Sequence, residues 1–241
     1  MGRIQSVANT TEFLYSELMR RESKLFLIIL PIISLFAFLI LAISLELFNA
    51  RNRLGGCGCD FDKTTGDFDY SEKTAFFEGR EISAPLVAFM ESNLNQVLGT
   101  TNSDKKWIEI DLSDQKLIAW EGKNKFLESL ISSGKWARTP VGEFSIWGKY
   151  KYTKMSGGNK EDHTYYYLPN VPYTMYFYKG FGLHGTYWHN NFGEPMSHGC
   201  INLPTIVAEK IFYWSKPEIP LGKNSVLANK ENPGTRILIH E

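Results

Sequence analysis

The residues with the most chemical potential in this 241-residue chain lie between positions 184 and 200. Three histidines and one cysteine fall there, namely His184, His189, His198 and Cys200. A cysteine attacks a carbonyl carbon as its thiolate, yet a free thiol has a pKa of about 8.5 and is mostly protonated at neutral pH. An imidazole that accepts the thiol proton removes this obstacle. These residue types therefore predict acyl transfer, with Cys200 as the nucleophile and a histidine as its base.

A helix N-terminus is a second device that stabilises a thiolate, through its dipole and its free N–H groups. Pro204 follows Cys200 by four residues and is typical of the start of a helix. The sequence therefore predicts that Cys200 lies close to a helix N-terminus, whose N–H groups would also bind a developing oxyanion. Gly199 would let a substrate carbonyl approach the backbone closely.

Two other roles are compatible with the same residues. The first is a buried structural cysteine surrounded by hydrogen-bonded histidines. The second is a metal site, but the spacing H-x4-H-x8-H-x-C matches no zinc-finger or zincin pattern. We therefore expect no metal ligands in this segment.

Composition and charge exclude several classes of protein. The chain carries 26 basic and 26 acidic residues, so it lacks the positive footprint of a nucleic-acid binder. Neither GxxxxGK[ST] nor GxGxxG occurs, so we expect no nucleotide and no other cofactor. Three cysteines are too few for a disulfide scaffold. With 43% hydrophobic residues, the chain can bury a core.

Residues 25–45 contain no charged side chain. At about 1.5 Å per residue, a helix of this length spans about 31 Å, close to the roughly 30 Å of a bilayer core. The run is too long for a signal peptide, and charged residues separate it from the lipoprotein-like box at residues 54–57. We predict a cytoplasmic segment at residues 1–24 and a single transmembrane anchor at 25–45.

Residues 46–105 are predicted to form a linker and an acidic stalk, since nine acidic and four basic residues lie between positions 60 and 105. Apolar residues at helical spacing after Ser83 predict a short helix in this stalk. Residues 106–241 are predicted to form a mostly β catalytic domain with one or two short helices, one of them after Pro204. The β-rich runs are 107–111, 115–120, 126–132, 142–147, 174–178, 181–184 and 235–239.

Two motifs resemble a known family. S-H-G-C-I-N at residues 197–202, with H-G-T at 184–186, resembles the active-site signature of the L,D-transpeptidase (YkuD-like) family. T-P-V-G-E-F at residues 139–144 is similar to the TPxGxF turn of that family. The resemblance covers about residues 106–239. It implies a β-sandwich or curved sheet that acts on the peptide stems of bacterial peptidoglycan.

The resemblance also implies roles for individual residues. Cys200 would be the nucleophile and His184 its general base and acid, held by the backbone carbonyl of Gly185. His198 would shape the surroundings of the cysteine. The N–H groups of Gly199 and Cys200 would form the oxyanion hole.

Four further residues are expected to contact the substrate or to order the loop around it. Ser197 and Asn202 belong to the signature, and Asn202 would order its loop. Trp188 and Tyr187 lie next to the base and would cover the donor stem. His189 is expected to be structural, with a hydrogen bond to a neighbouring asparagine.

The implied reaction begins with attack of the Cys200 thiolate on the third residue of a tetrapeptide stem, with release of D-alanine. A side-chain amine of a neighbouring stem then takes the acyl group. Water as the acceptor would make the protein an L,D-carboxypeptidase, and a wall protein is another acceptor. A non-catalytic wall-binding module also stays open. A papain-like amidase is disfavoured because its cysteine precedes its histidine in sequence.

The resemblance implies two further properties. Carbapenem-type β-lactams mimic an acyl donor and are expected to acylate Cys200. Because the cell wall lies outside the membrane, the catalytic domain is expected on the extracytoplasmic side of the cell membrane.

Overall fold

The structure is a computed structural model that describes residues 33–44, 64–89 and 106–241. The chain divides into two compact units, Met1–Leu54 and Gly55–Glu241. In the first unit, residues 33–44 form helix α1. Across the described residues, no helix is both long and apolar enough to span a membrane. Residues 25–32 and 45 of the predicted anchor, and the segment 1–24, lie outside the described residues.

The second unit is mostly β, as predicted. Its strands, in chain order, are β1 (Thr74–Phe77), β2 (Arg80–Ser83), β3 (Lys106–Asp111), β4 (Lys116–Glu121), β5 (Asn124–Leu130), β6 (Gly142–Ser145), β7 (Gly148–Gly157), β8 (Tyr166–Tyr178), β9 (Phe181–Thr186), β10 (Ile201–Pro204), β11 (Ser225–Leu227) and β12 (Arg236–His240). Helix α2 (Thr205–Trp214) begins directly after Pro204, where the sequence predicts a helix.

The strands form two sheets. The five-stranded sheet has the order β5-β4-β3-β12-β6. The seven-stranded sheet has the order β10-β9-β8-β1-β2, with β7 paired to both β8 and β11. All pairs are antiparallel except β3 with β12 and β9 with β10, which are parallel. The parallel pair β9–β10 positions the candidate site.

Alternation of apolar and polar residues explains the five-stranded sheet. On β3, Ile108 and Ile110 are buried while the residues between them are partly exposed. Ile110 pairs with Leu117 on β4, and Ile108 pairs with Ile237 on β12. Since alternate side chains of a strand share one face, these residues form one apolar layer. That layer belongs to the same core as residues of β8, β9 and helix α2.

Helix α2 packs its apolar face, which includes Ala208, Ile211 and Phe212, into this core. The buried ammonium group of Lys149 lies at the C-terminal end of the helix, where it donates to the carbonyl groups of Phe212 and Ser215, the latter at 2.8 Å. Because the last carbonyls of a helix have no intrahelical partner, Lys149 satisfies groups that burial would otherwise leave unpaired.

The seven-stranded sheet is larger than the predicted runs. Strand β8 extends over 13 residues, against the five residues 174–178 that its pattern predicts, and it pairs along most of its length with β7, which is not among those runs. Ten successive residues from Leu168 to Phe177 are buried on both faces. A strand buried on both faces lacks the alternation on which the prediction depends.

Part of the predicted stalk belongs to this sheet. Strands β1 and β2 form a hairpin, and β1 pairs with β8 through Phe76 and Tyr167. The apolar side of the hairpin, with Ala75 fully buried, packs on the sheet, so its acidic residues mark an exposed face. The predicted helix does not begin after Ser83, because residues 84–89 are non-helical. The remainder of that predicted helix lies outside the described residues.

Candidate active site

Strands β9 and β10 bring the histidine and the cysteine of the motif together. They are parallel neighbours, and Asn202 on β10 pairs with His184 on β9. Cys200 directly precedes β10. Residues at i and i+2 of an extended chain share a face, so Cys200 and Asn202 point to the side on which His184 lies. All three side chains line the same pocket.

The predicted position of Cys200 at a helix N-terminus is wrong. Residues Ile201–Pro204 form strand β10, and the helix starts at Thr205. Four strand residues extend about 13 Å at roughly 3.3 Å each, beyond the reach of a dipole effect that fades within one helical turn. The physical reason is packing, because Ile201 and Leu203 are fully buried and alternate as a strand requires. The helix therefore supplies neither charge stabilisation nor oxyanion donors to Cys200.

His184 is oriented as a base. Its ring is buried, and Nδ1 lies 3.1 Å from the carbonyl oxygen of Gly185. Since a carbonyl only accepts hydrogen bonds, Nδ1 carries the proton and Nε2 keeps its lone pair. Burial lowers the pKa of His184 to about 4, against a smaller opposing effect of the Gly185 hydrogen bond. The ring is therefore neutral, and able to accept a proton, at physiological pH.

Cys200 is a protonated thiol in the resting site. Burial raises its pKa to about 11, and a backbone hydrogen bond from Gly182 offsets only part of this effect. The Sγ atom lies 3.8 Å from the carbonyl oxygen of Gly180, at the limit for a weak thiol donor. Thiol and imidazole are therefore both neutral, and the proton has to leave Sγ as the new bond to sulfur forms.

The pocket that holds these groups has an empty volume of about 400 Å³. Its lining includes six of the predicted site residues, namely His184, Trp188, Ser197, His198, Cys200 and Asn202. The other lining residues are apolar or aromatic: Phe77, Met155, Tyr166, Leu168 and Phe181. The pocket thus places a few polar groups on a largely apolar wall, as small-molecule and peptide sites do.

Ser197 holds the loop around the cysteine. Its hydroxyl donates to the carbonyl oxygen of Cys200 at 2.6 Å and accepts from the N–H of Gly199 at 2.9 Å. The N–H of Gly199, predicted as an oxyanion donor, is therefore already engaged. The sequence could not reveal this, because the hydrogen bond depends on how the loop folds back on the Ser197 hydroxyl. Although Ser197 lines the pocket, its hydroxyl is occupied with the loop itself.

The glycine of the motif is required by close packing. Gly199 has φ of +136°, and a Cβ there would lie 2.0 Å from Cε1 of Phe181. The threonine of the T-P-V-G-E-F motif supports the same loop. The hydroxyl of Thr139 donates to the carbonyl oxygen of Gly199 at 3.0 Å and accepts from the N–H of Gly134 at 2.8 Å. The two motifs, 60 residues apart, therefore form one structure.

Three polar atoms of pocket-lining residues are buried without a hydrogen-bond partner in the described part of the chain: Nε1 of Trp188, Nε2 of His198 and Oδ1 of Asn202. Burial, followed by the positive charges of Arg138 and Lys135, lowers the pKa of His198. The indole N–H can only donate, and the free nitrogen of a neutral imidazole whose other nitrogen is protonated can only accept. A bound molecule that both donates and accepts would satisfy both atoms.

Three predicted site residues, Tyr187, Gly185 and Gly199, are not among the residues that line the pocket. Tyr187 does not line it; its hydroxyl donates to the carbonyl oxygen of Pro169 at 2.7 Å, and its ring packs edge-on against Trp188. His189 accepts from the N–H of Asn191 at 3.2 Å, so it bonds to one of its neighbouring asparagines.

Sequence reasoning missed several residues that line the pocket. Phe77, from the β1–β2 hairpin, contacts the ring of Trp188 with centroids 6.1 Å apart, and Tyr166 packs against His198 at 4.8 Å. Met155, Leu168 and Phe181 complete the apolar wall. No local signal identifies them, because their place in the site depends on sheet pairing between distant segments.

The fold and the site define this chain as a mostly β protein with a buried cysteine–histidine site, in which His184 lies on β9 and Cys200 directly precedes the neighbouring strand β10. A sequence profile of the YkuD L,D-transpeptidase catalytic domain matches residues 105–239, more than half of the chain. The chain therefore belongs to the YkuD L,D-transpeptidase family, whose members are acyltransferases. No curated protein matches the chain.

Similar solved structures are L,D-transpeptidases. A mutant of the Enterococcus faecium enzyme is 29% identical over 56% of this chain and 50% of that chain, with a TM-score of 0.43. The Mycobacterium smegmatis enzyme is 20% identical over 57% of this chain and 59% of that chain, with a TM-score of 0.46. The E. faecium catalytic domain acylated by ertapenem is 30% identical over 56% of this chain and 97% of that chain, with a TM-score of 0.41. The chain spans half to three-fifths of the length of the first two.

Proposed function

We propose that this protein is a peptidoglycan L,D-transpeptidase with Cys200 as its nucleophile and His184 as its general base and acid. One observation carries the proposal. Both side chains line one pocket, and the Gly185 carbonyl holds the His184 ring in the tautomer whose Nε2 accepts a proton. Membership of the family supports the reaction class.

The first half-reaction forms an acyl-enzyme. Sγ of Cys200 attacks the carbonyl carbon of the third stem residue while its proton moves to Nε2 of His184. The tetrahedral adduct collapses, the bond to the amide nitrogen breaks, and His184 returns its proton to the departing D-alanine. Because the resting thiol has a raised pKa, transfer of its proton to His184 is coupled to formation of the C–S bond.

The second half-reaction uses the same groups in reverse order. A side-chain amine of a neighbouring stem attacks the thioester carbonyl and gives a proton to Nε2 of His184. The C–S bond breaks, and the sulfur recovers the proton from His184. The peptide bond energy is retained in the thioester, so the exchange requires no nucleotide.

The unpartnered atoms of the pocket support a peptide substrate. A peptide backbone offers carbonyl oxygens for the indole N–H of Trp188 and N–H groups for Nε2 of His198. The apolar wall suits the aliphatic side chains of a stem. Water as the acceptor, which would give an L,D-carboxypeptidase, and a wall protein as the acceptor are alternatives within the same chemistry.

We also propose that residues 25–45 anchor the protein in the cell membrane, with the catalytic unit on the extracytoplasmic side, where peptidoglycan lies. The uncharged 21-residue run supports this anchor. Fractionation of cells and protease treatment of intact spheroplasts test it. Recovery of the protein in the soluble fraction would refute the anchor, and protection of the catalytic unit would refute the orientation.

Carbapenem-type β-lactams are proposed inhibitors that acylate Cys200. One related structure is an L,D-transpeptidase in complex with imipenem, and another is acylated by ertapenem. An intact mass raised by one carbapenem, in the wild type but not in Cys200→Ala, is the expected result.

The test of function uses the detergent-solubilised full chain and a disaccharide-tetrapeptide, with products read by mass spectrometry. We expect a cross-linked dimer with loss of D-alanine from the wild type, and none from Cys200→Ala. The double variant Cys57→Ala/Cys59→Ala, which removes the other two cysteines, is the matched control and should retain activity. Loss of D-alanine without dimer would indicate a carboxypeptidase. No product and no thioester would refute the enzymatic proposal and favour a wall-binding module.

A further inference from the structure

The side-chain amide of Asn202 is an unusual group in this pocket. Asn202 is only 1% exposed, and one end of its amide lies 2.8 Å from Nε2 of His189. The other end is buried without a hydrogen-bond partner among the described residues. With Nδ2 turned to His189, the unpartnered atom is the oxygen. Amide oxygen and nitrogen are nearly equal in shape, so the hydrogen bonds decide which end lies where.

The tautomer of His189 determines that choice. Nδ1 accepts a hydrogen bond from the backbone N–H of Asn191 at 3.2 Å, so Nδ1 bears no proton. An imidazole without a proton on Nδ1 carries its single proton on Nε2. Burial lowers the pKa of His189 to about 4, which agrees with a neutral ring. The Nε2–H of His189 is therefore a donor that points at Asn202.

A donor needs an acceptor opposite it. If Nδ2 of Asn202 faced His189, two N–H donors would meet at 2.8 Å and a buried oxygen would remain unpaired. With the amide turned over, Oδ1 accepts from His189 and the NH2 group becomes the free end. Both orientations leave one end of the amide unpaired, so the contact with His189 decides between them: only the turned amide replaces two opposed N–H donors with a hydrogen bond.

The free NH2 group belongs to a residue that lines the same pocket as Cys200 and His184. Asn202 pairs with His184 across the β9–β10 ladder and shares a face with Cys200. Its backbone is held on the other edge, since Asn202 exchanges two hydrogen bonds with Ser132, at 2.9 and 3.0 Å. Meanwhile the N–H of Gly199 is engaged with the hydroxyl of Ser197. Besides the N–H of Cys200, which the sequence predicts as an oxyanion donor, the pocket therefore offers a second donor in the unpaired NH2 group of Asn202.

We propose that the NH2 group of Asn202, fixed by the hydrogen bond between its Oδ1 and the Nε2–H of His189, donates to the oxyanion that forms when Cys200 attacks a carbonyl. Asn202 is then a catalytic residue, and His189 is a positioning residue that acts through it. The inference rests on the proposed function, because it requires acyl chemistry at Cys200.

The experiment compares two reactions of Cys200 in the full chain with Cys57 and Cys59 replaced by alanine. Acylation by imipenem develops an oxyanion, whereas alkylation by iodoacetamide displaces iodide and develops none. Loss of one oxyanion donor typically slows acyl transfer by about 10²–10³-fold. We therefore expect Asn202→Ala and Asn202→Asp to slow acylation by this factor while alkylation changes by less than about threefold. Exposed Asn124→Ala is the matched control.

Equal losses in both reactions would show a structural role and overturn the inference, as would acylation within about fivefold of the wild type. A second measurement is the ¹⁵N NMR spectrum of labelled His189, where we expect a protonated Nε2 and a bare Nδ1. The reverse tautomer would overturn the inference whatever the kinetics. If iodoacetamide alkylates the wild type but imipenem leaves it unmodified, the proposed acyl chemistry at Cys200 is refuted, and the inference with it. The His189 tautomer would then report only on the orientation of the Asn202 amide.

Discussion

The neutral state of the thiol and the imidazole leads to a pH prediction with a definite magnitude. With a pKa of about 11 for Cys200, only about one thiol in 10⁴ is ionised at pH 7. Alkylation by iodoacetamide, which requires the thiolate, should therefore rise about tenfold per pH unit and continue to rise above pH 9. The alkylation rate of a free thiol, whose pKa is near 9, would level off about two pH units lower.

Acyl transfer should behave differently, because in the proposed mechanism His184 removes the proton during attack. The pKa of His184 is lowered to about 4, so the neutral base is present above that pH and is lost as the pH falls through it. Acylation should therefore stay nearly constant between about pH 5 and pH 8 and be half-lost near pH 4, instead of near the ordinary value of 6.5.

The assay follows both reactions across pH 3.5–10 in one buffer series, with His184→Ala as the comparison. This variant should lose acylation by about 10²–10⁴-fold, the usual contribution of a general base, and retain alkylation at high pH. An acylation midpoint near pH 6.5 would show that burial does not lower the pKa of His184, and an alkylation plateau below about pH 8 would show a stabilised thiolate. Either result would refute the reasoning.

Three further predictions concern the scaffold. Gly199→Ala should abolish detectable acylation while the fold survives by circular dichroism, because the new Cβ meets the Phe181 ring at 2.0 Å; wild-type rates would contradict it. Thr139→Val should lower unfolding free energy by about 1–3 kcal/mol in denaturant titration and also slow acylation, since it leaves the Gly134 N–H unpaired. Burial lowers the pKa of Lys149 from 10.5 to about 7, so the unfolded state binds more protons and stability should rise with pH between about 7 and 8.5. Lys149→Met should remove this rise, and an unchanged slope would exclude Lys149 as its cause.

The candidate nucleophile and base could be proposed from the sequence because short motifs contain them. The S-H-G-C-I-N and H-G-T motifs point to Cys200 and His184 through their resemblance to the family signature. The pairing of β3 with β4 was also accessible, because its alternation reflects one buried face. Likewise, the helix after Pro204 follows from a proline at its start and apolar residues at helical spacing.

Other features had no local signal. Phe77 belongs to a segment predicted as a stalk, yet it reaches the pocket because β1 pairs with β8 some 90 residues later in the chain. Ten consecutive buried residues of β8 show no alternation, so their pattern does not define a face. Hydrogen bonds of Gly199 and Asn202 likewise depend on which atoms the folded loop brings within about 3 Å.

By itself, the sequence predicted the mostly β class from residue types at fixed spacing, and it predicted a candidate nucleophile and base through the resemblance of its motifs to the family signature. Tertiary structure alone decided the protonation states of Cys200 and His184, because desolvation depends on the walls packed around them. It also decided that β10, and not a helix, follows Cys200, because β10 pairs with β9 and Ile201 and Leu203 are fully buried there.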